Sequence, residues 1–386
     1  MKRILSLLLS IIMLFVLAGC GVQFMKPQEE DKDQIISEQS NGYDGDALFA
    51  FVSTSSGIDD GGLNQRVHTV TRQFCDTFCV PYSYYILPDD NSSTINDILE
   101  GVVDDGYSVV VLPGASFSDA LLQTAMNHPE VIFVGVDISE KDLNDRYRVP
   151  KNVCCLSFSE EISGFLAGYA SVAFGYTHLG FLGGKTEPAI KRYGVGFIQG
   201  ANLASIESDQ PVTIEYVYAG TDTYDVNVTQ FLDNWYGETG VQLVFAAGGD
   251  MARAAAAVAA KHDGKVIGAD FDRSSEINEY GADICVSSAE KGYRNALRTV
   301  LLDAMSDEKW EAHSGKTEVY GLISSEDVQS NFAQLSYSNT AWTENFGTVQ
   351  YAELIQRILK GEIIVSKNVD ILPDISITLN NYDNIK

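Results

Sequence analysis

The segment LGFLGGKTEPAIKRYGVGFIQGANLASIESDQPVTIEYVY, at residues 179–218, decides the fold class. It begins with an apolar strand at Leu179–Gly183, continues through a helix at Ala189–Ile206 and ends in a strand at Thr213–Tyr218. Short apolar strands joined by helices are typical of a parallel sheet that is covered on both faces. The segment therefore predicts a β-α-β unit of a doubly wound α/β sheet.

Strands and helices also alternate on either side of this segment. The elements predicted before it are Ala47–Ser53, Asn64–Cys79, Tyr82–Leu87, Ser93–Asp105, Ser108–Leu112, Ser118–Asn127 and Val131–Asp137. A second series begins with the helix Glu160–Phe174, contains the segment above and continues with Val226–Tyr236, Leu243–Ala247, Met251–Lys261 and Lys265–Asp270. Two successive series predict two lobes, each with its own parallel sheet.

The later part of the chain is expected to cross back between the lobes. It contains the predicted segments Asp283–Ser288, Tyr293–Met305 and Glu318–Ser324. We assign residues 47–155 and about 285–318 to the first lobe. The second lobe then takes residues 156–284 and about 319–386.

The composition narrows the class of protein. The chain has 386 residues, of which 45% are hydrophobic and 20% charged, as in an ordinary globular protein with several domains. It carries 26 basic and 53 acidic residues, and its formal net charge is -27. Such a charge repels phosphate backbones, so we expect no nucleic-acid partner.

The N-terminus has the pattern of a secretory signal. Lys2 and Arg3 precede the apolar run Ile4–Leu17, which leads into LAGC at residues 17–20. This ending is similar to a bacterial lipobox, in which the cysteine thiol is lipidated before the signal is cleaved. An uncut signal anchor is the alternative, but the apolar run is short for a membrane span.

These features predict how the protein is located. We expect a signal peptide over residues 1–19 and a polar, flexible tether over residues 20–46. A lipid on Cys20 would anchor the protein in the cell membrane, on its extracytoplasmic face.

Five cysteines follow Cys20, and they are Cys75, Cys79, Cys154, Cys155 and Cys285. An odd number excludes complete internal pairing. The spacing of Cys75 and Cys79 suits a helical metal pair, but no second pair with zinc-like spacing follows. We therefore expect buried free thiols, no metal and no cofactor.

Ligands of open α/β sheets gather at the carboxyl ends of the strands. The segments expected there are Ser53–Asn64, Pro113–Phe117, Asp137, Gly183–Lys185, Gly248–Asp250, Asp270–Asp272 and Ser287–Lys291. Their carboxylates accept hydrogen bonds from vicinal hydroxyls, and Phe117, Phe197 and Phe271 offer aromatic faces. This set suits a polyhydroxylated, roughly neutral ligand.

Several motifs between about residues 47 and 325 carry a family resemblance through their order and spacing. They are GIDDGGLNQ at 57–65, VIFVGVD at 131–137, Phe158 with Glu160, Glu161 and FLAG at 165–168, LGFLGG at 179–184, PAIKRY at 188–193, GFIQGA at 196–201, AGG at 247–249, VIGADFD at 266–272 and Ser287–Lys291. Together they resemble the basic membrane protein family, the purine-nucleoside receptor-like lipoproteins of ABC importers. The resemblance implies a type I periplasmic-binding-protein fold with two lobes, a hinge and an interlobe ligand cleft.

The resemblance also implies roles for individual residues. Asp60 and Asn64 would meet the edge of a base, Phe197 would stack on it, Asp137, Asp270 and Lys291 would hold ribose hydroxyls, and Gly249 would admit close backbone approach. Simpler roles stay open for most of these residues: Asp60 and Asn64 can form a turn and a helix cap, Phe197 can lie in the core and Lys291 can be exposed at a helix start. Thr54 and Leu63 stand where the family usually has Asp and Phe, which leaves the choice of base open.

Three functions compete for this fold. The first is capture of a nucleoside or a similar small molecule for the permease subunits of an ABC importer. The second is a ligand sensor for a membrane signalling partner. The third is a nucleoside hydrolase, since Ser53–Asp60 resembles the calcium loop of those enzymes, but Ser53 and Ser55 replace two required aspartates. We therefore expect a binding protein and not an enzyme.

Overall fold

The computed structural model describes residues 47–143 and 148–385. The predicted signal peptide (residues 1–19) and the whole predicted tether (residues 20–46, with Cys20) lie outside the described residues. Within this part of the chain, no helix is both long and apolar enough to cross a membrane.

The first sheet consists of parallel strands in the order β11-β5-β4-β3-β1-β2. Their bounds are Phe49–Ser53 (β1), Tyr82–Ile86 (β2), Val109–Pro113 (β3), Ile132–Val136 (β4), Val153–Phe158 (β5) and Lys316–Tyr320 (β11). Side chains alternate across β1, so Phe49 and Phe51 face one core while Ala50 and Val52 face another. Both faces of this sheet are therefore covered.

The second sheet has the order β12-β10-β9-β8-β6-β7-β13. Its strands are His178–Gly183 (β6), Thr213–Tyr218 (β7), Leu243–Ala247 (β8), Lys265–Asp270 (β9), Cys285–Lys291 (β10), Ala333–Leu335 (β12) and Thr378–Asn384 (β13). All neighbours are parallel except β10 and β12, which run antiparallel. The chain thus forms two α/β sheets, as the sequence predicts.

The helices cover both sheets. They are Leu63–Phe78 (α1), Ser92–Asp104 (α2), Ser118–Asn127 (α3), Glu160–Ala173 (α4), Pro188–Ser208 (α5), Val226–Asn234 (α6), Met251–Ala259 (α7), Ser274–Asn278 (α8), Tyr293–Asp303 (α9), Asp307–Trp310 (α10) and Thr348–Leu359 (α11). Helices α1 and α9 share a core with the first sheet, while α4, α5 and α11 share one with the second.

Two lobe boundaries differ from the prediction. The first lobe was expected to end at residue 155, but β5 stays in the first sheet as far as Phe158. Strand β10 was expected in the first lobe, but it pairs with β9 in the second sheet. The chain therefore crosses to the first sheet after Lys291, packs α9 against it and adds β11 beside β5. The sequence placed this crossing several residues too early because apolar residues at the start of β10 fit a buried strand of either sheet.

Glycines let α4 and α5 approach each other at backbone distance. A Cβ at Gly168 of α4 would overlap the carbonyl oxygen of Phe197, and one at Gly200 of α5 would overlap that of Phe165. Both helices lie on the core of the second sheet; α4 begins at Glu160, and Arg192 is the fifth residue of α5. The close approach therefore also fixes the distance between these two charged residues.

We expect Gly200→Ala to lower the free energy of unfolding by about 1–3 kcal/mol, because the added methyl group forces the two helices apart. Chemical denaturation measures this loss. Gly101→Ala is the matched control, since its helix α2 leaves open space around Gly101. That variant should be as stable as the original chain or more stable by up to about 1 kcal/mol. If the two variants had the same free energy of unfolding, the close approach of α4 and α5 would be contradicted.

Candidate ligand-binding site

Lys291 stands at the centre of a charged cluster between the two sheets. Its Nζ lies 2.8 Å from Oδ2 of Asp137, 3.1 Å from Oε1 of Glu160 and 3.1 Å from Oδ1 of Asp270. The Lys291 side chain is 2% exposed and that of Glu160 is fully buried, whereas Asp137 and Asp270 are each about one-fifth exposed. Solvent therefore reaches the two aspartates but not the lysine.

The strand order of the two sheets explains why these residues meet. Asp137 follows β4 of the first sheet, whereas Asp270 and Lys291 end the neighbouring strands β9 and β10 of the second. Both aspartates have a positive φ, 62° for Asp137 and 74° for Asp270, a conformation that Asp and Asn adopt more readily than most residues. The sequence therefore ends two buried strands with residues that suit a left-handed turn.

Further side chains hold the cluster in place. Tyr293 donates a hydrogen bond to Asp137, and Tyr193 donates one to Asp270, each over 3.3 Å. Arg192 Nε donates to Oε2 of Glu160 over 2.6 Å. No role was predicted for these three residues or for Glu160, whose position at the start of an apolar helix was the available signal.

The carboxylates keep Lys291 charged. Burial lowers the pKa of Lys291, but Asp137, Asp270 and Glu160 raise it by more, so the pKa lies well above its usual value. Burial raises the pKa of Asp137, and the Glu160 and Asp270 carboxylates add to that shift while Lys291 opposes it. Lys291 thus compensates several negative charges in a place with little water.

Glu290, next to Lys291 on β10, gives a pH-dependent prediction. Burial raises the pKa of its carboxyl to about 7, and the Asp272 carboxylate adds to the shift. Because this carboxyl has a higher pKa in the folded protein than in the unfolded chain, the folded protein binds more protons between pH 4.5 and 7. The free energy of unfolding therefore falls as the pH rises from about 4.5 to 7. We expect Glu290→Gln to flatten this decline, and melting temperatures measured from pH 4.5 to 8 test it. If stability declines equally with pH in the variant and in the original chain, groups other than Glu290 cause the decline.

Asp60 and Asn64 form the turn and helix start that the sequence offered as their simpler role. Oδ1 of Asp60 accepts hydrogen bonds from the backbone N–H groups of Gly62 and Gln65. Asn64 donates to Oδ2 of Asp60 and to Oγ1 of Thr54. The side chains of Asp60 and Asn64, which were expected to meet the edge of a base, therefore already make hydrogen bonds within this loop.

The predicted roles of Phe197 and Gly249 need correction. Phe197 is fully buried, and its ring packs beside Phe181 and Phe245 in the core of the second sheet, so it has no face free for a base. Gly249 has a φ of 48°, and a Cβ there would overlap the backbone of Asp222. The close approach that requires this glycine is therefore to the neighbouring loop.

Phe271 and Phe117 were the other aromatic candidates. Phe117 is fully buried in the first lobe. The ring of Phe271 is in contact with two guanidinium groups, those of Arg66 and Arg273, each with its Cζ 4.2 Å from the ring centroid. Because Arg66 belongs to α1 and Arg273 follows β9, this stack joins the two lobes.

A cavity of about 500 Å³ adjoins the cluster through Arg192. It is lined from the first lobe by Ser139 and Phe158, from helices α4 and α5 by Glu161 and Pro188, and from the C-terminal segment by Lys367. Its volume lies in the range of small-molecule sites. Burial raises the pKa of Glu161 in its wall.

Two doubly wound lobes with a charged cluster between them define a type I periplasmic solute-binding fold. Solved structures support this class: an ABC transporter solute-binding protein from Conexibacter woesei matches with a TM-score of 0.63 at 18% identity, over 83% of this chain and 99% of that one. A solute-binding protein from Aeropyrum pernix K1 matches with a TM-score of 0.62 at 17% identity, over 84% of this chain and 95% of that one.

The chain belongs to the family of PnrA-like ABC transporter substrate-binding proteins (Bmp), whose family model matches residues 49–353. The nucleoside-binding protein BmpA of Lactococcus lactis is 28% identical over 46% of this chain and 49% of its own length. Basic membrane protein D of Borreliella burgdorferi is 29% identical over 64% of this chain and 72% of its own length. The chain spans about half the length of most of the curated relatives it matches.

Proposed function

We propose that this protein captures a nucleoside between its two lobes and delivers it to the permease subunits of an ABC importer. The observation that carries the proposal is the convergence of Asp137 and Asp270, from different sheets, on the buried Lys291. Ribose presents vicinal hydroxyls, and a carboxylate accepts two such hydrogen bonds. A ligand held by both aspartates would stabilise the closed arrangement of the lobes.

The name of the Lactococcus lactis relative supports a nucleoside as the ligand class. The base is expected to be recognised weakly, because Phe197 is buried and Leu63 replaces the second aromatic face. Thr54, where the family usually has an acidic residue, uses its hydroxyl oxygen to accept a hydrogen bond from Asn64. We therefore propose that the sugar contributes more to recognition than the base does.

A thermal-shift screen tests the ligand class. The purified protein is heated with purine and pyrimidine nucleosides, with the free bases and with simple sugars. A ligand at about 100 times its dissociation constant adds about 2.7 kcal/mol to the stability, which raises the melting temperature measurably. We expect shifts with nucleosides and none with free bases. A shift with sugars alone, or with bases alone, would contradict the proposal.

We propose that the protein binds its ligand without chemical change. The family is described as substrate-binding, and the Lactococcus lactis relative is named as a nucleoside-binding protein. The loop that resembles a calcium site has serines where such a site needs carboxylates, and Ser55 is hydrogen-bonded to Asp90. A sensor that passes occupancy to a membrane partner would use the same ligand site.

We further propose that a lipid on Cys20 anchors the protein to the extracytoplasmic face of the membrane. The motif LAGC at residues 17–20 after a short apolar run supports this location. Cys20→Ser should move the protein from the membrane fraction to the soluble fraction, because no acyl chain can then be attached. A Ser variant that stays in the membrane fraction after a carbonate wash would contradict the lipid anchor.

A further inference from the structure

We infer that Cys154, His313 and Glu318 form a zinc site at the β11 edge of the first sheet. Each contributes one ligand atom, and the three atoms lie within 4.8 Å of one another. Cys154 lies on β5, Glu318 lies on the adjacent strand β11, and His313 lies in the turn between α10 and β11. This group shares no residue with the charged cluster around Lys291, and the inference does not rest on the proposed function.

The spacing of the three atoms suits a small divalent ion. Nδ1 of His313 lies 2.8 Å from Oε1 of Glu318. A tetrahedral zinc ion bound to both atoms would hold them about 3.3 Å apart, since Zn–N and Zn–O distances are about 2.0–2.2 Å. Glu318 is 22% exposed on an edge strand, so its carboxylate has room for this small movement.

The surrounding residues orient the ligands as they do in known metal sites. Nε2 of His313, the nitrogen turned away from Glu318, lies 2.9 Å from Oδ2 of Asp303. The Tyr320 hydroxyl donates over 2.6 Å to Oε2, the second oxygen of Glu318. A carboxylate behind a ligating histidine and a donor behind a ligating carboxylate are the usual supports of metal ligands.

The ligand types select the metal. A thiolate, an imidazole and one carboxylate suit zinc, whereas calcium and magnesium require oxygen ligands. When zinc binds, it replaces the proton between Nδ1 and Oε1, and the thiol releases its own proton. Three protein ligands leave the fourth tetrahedral position for a water molecule.

The site would fasten β11 where the chain returns to the first sheet. Two further contacts, from Trp310 Nε1 and from Ser314 Oγ to the carbonyl oxygen of Lys151, hold the turn before β11 against the start of β5. Zinc would add a bond between β5, the turn and β11. We therefore expect bound zinc to raise the melting temperature of the whole protein.

Cobalt titration of the chelator-treated, reduced full chain tests the site, because Co²⁺ occupies zinc sites and its bond to a thiolate absorbs in the near ultraviolet. We expect this band at one equivalent of Co²⁺ and its loss when Zn²⁺ is added. Cys154→Ser should abolish the band. Cys155→Ser, whose side chain faces the opposite core, and Cys79→Ser, which removes an exposed thiol, should retain it.

Two milder variants keep the test valid if Cys154→Ser does not fold. Glu318→Gln alters a partly exposed side chain and should weaken Co²⁺ binding at least 10-fold. Asp303→Asn should weaken it about 10- to 100-fold, as loss of a supporting carboxylate does elsewhere, and His128→Gln should leave it unchanged. Absence of the band in the original chain, or a band unaffected by the Cys154 and Glu318 variants, would show that His313 is only an ion-paired side chain and would overturn the inference.

Discussion

Lys291→Met is expected to lower the free energy of unfolding by about 3–5 kcal/mol, the usual loss when one partner of a buried ion pair is removed. Lys291 is 2% exposed and lies within 3.1 Å of the carboxylates of Asp137, Glu160 and Asp270. Methionine fills a similar volume but leaves these carboxylates without their shared cation. Arg192 still pairs with Glu160, so the two aspartates lose most. Urea denaturation at neutral pH measures the change.

Lys185→Met is the matched control for this prediction. Its Nζ lies 2.6 Å from Oδ2 of Asp222, but the Lys185 side chain is 56% exposed. Exposed pairs contribute about 0–1 kcal/mol, so this variant should lose little stability. If Lys291→Met were as stable as Lys185→Met, the pairing of Lys291 with these carboxylates would contribute no more to stability than an exposed ion pair does.

Asp270→Asn is expected to weaken nucleoside binding by about 10- to 150-fold. A hydrogen bond to a charged acceptor contributes roughly 1.5–3 kcal/mol, and this energy converts to that ratio of dissociation constants. Asparagine is the right replacement because it tolerates the φ of 74° at this position, which alanine does not. Asp270 also pairs with Lys291 over 3.1 Å, so the exchange lowers the stability of the protein as well.

Asp209→Asn provides the control for Asp270→Asn. Asp209 ends helix α5 with a φ of 53° and lies exposed, so the same exchange is made on a similar backbone away from the cluster. Calorimetric titration of both variants compares their affinities at a temperature where both are folded. If both variants bind the nucleoside as tightly as the original chain does, Asp270 is not part of the ligand site.

The periodicity of the sequence was sufficient to predict most of the fold. Buried parallel strands are short apolar runs, and the predicted bounds of Thr213–Tyr218, Leu243–Ala247 and Lys265–Asp270 agree with the structure. Strand β13, Thr378–Asn384, was missed because its sequence TLNNYDN is polar. It lies at the edge of the second sheet, where most of its side chains are exposed and no apolar pattern is required.

The candidate site was predicted only in part. Asp137 and Asp270 could be identified because each ends an apolar strand, but the position of Lys291 depended on the family resemblance. Phe197 could not be placed, since a helix that is buried on several sides carries apolar residues around its whole circumference. The group of Cys154, His313 and Glu318 was missed because Cys154 is distant in sequence from the other two residues, and only the pairing of β5 with β11 brings them together.

The most direct test of the central claim is a pair of calorimetric titrations. One uses the nucleoside that gives the largest shift in the thermal screen, and the other uses its 2′,3′-dideoxy analogue. The two ligands share the base, so they differ only in the hydroxyls that Asp137 and Asp270 are proposed to hold. Loss of these hydrogen bonds should weaken binding at least 10-fold. Equal affinity for the two ligands would contradict recognition of the sugar by the aspartates of the two lobes.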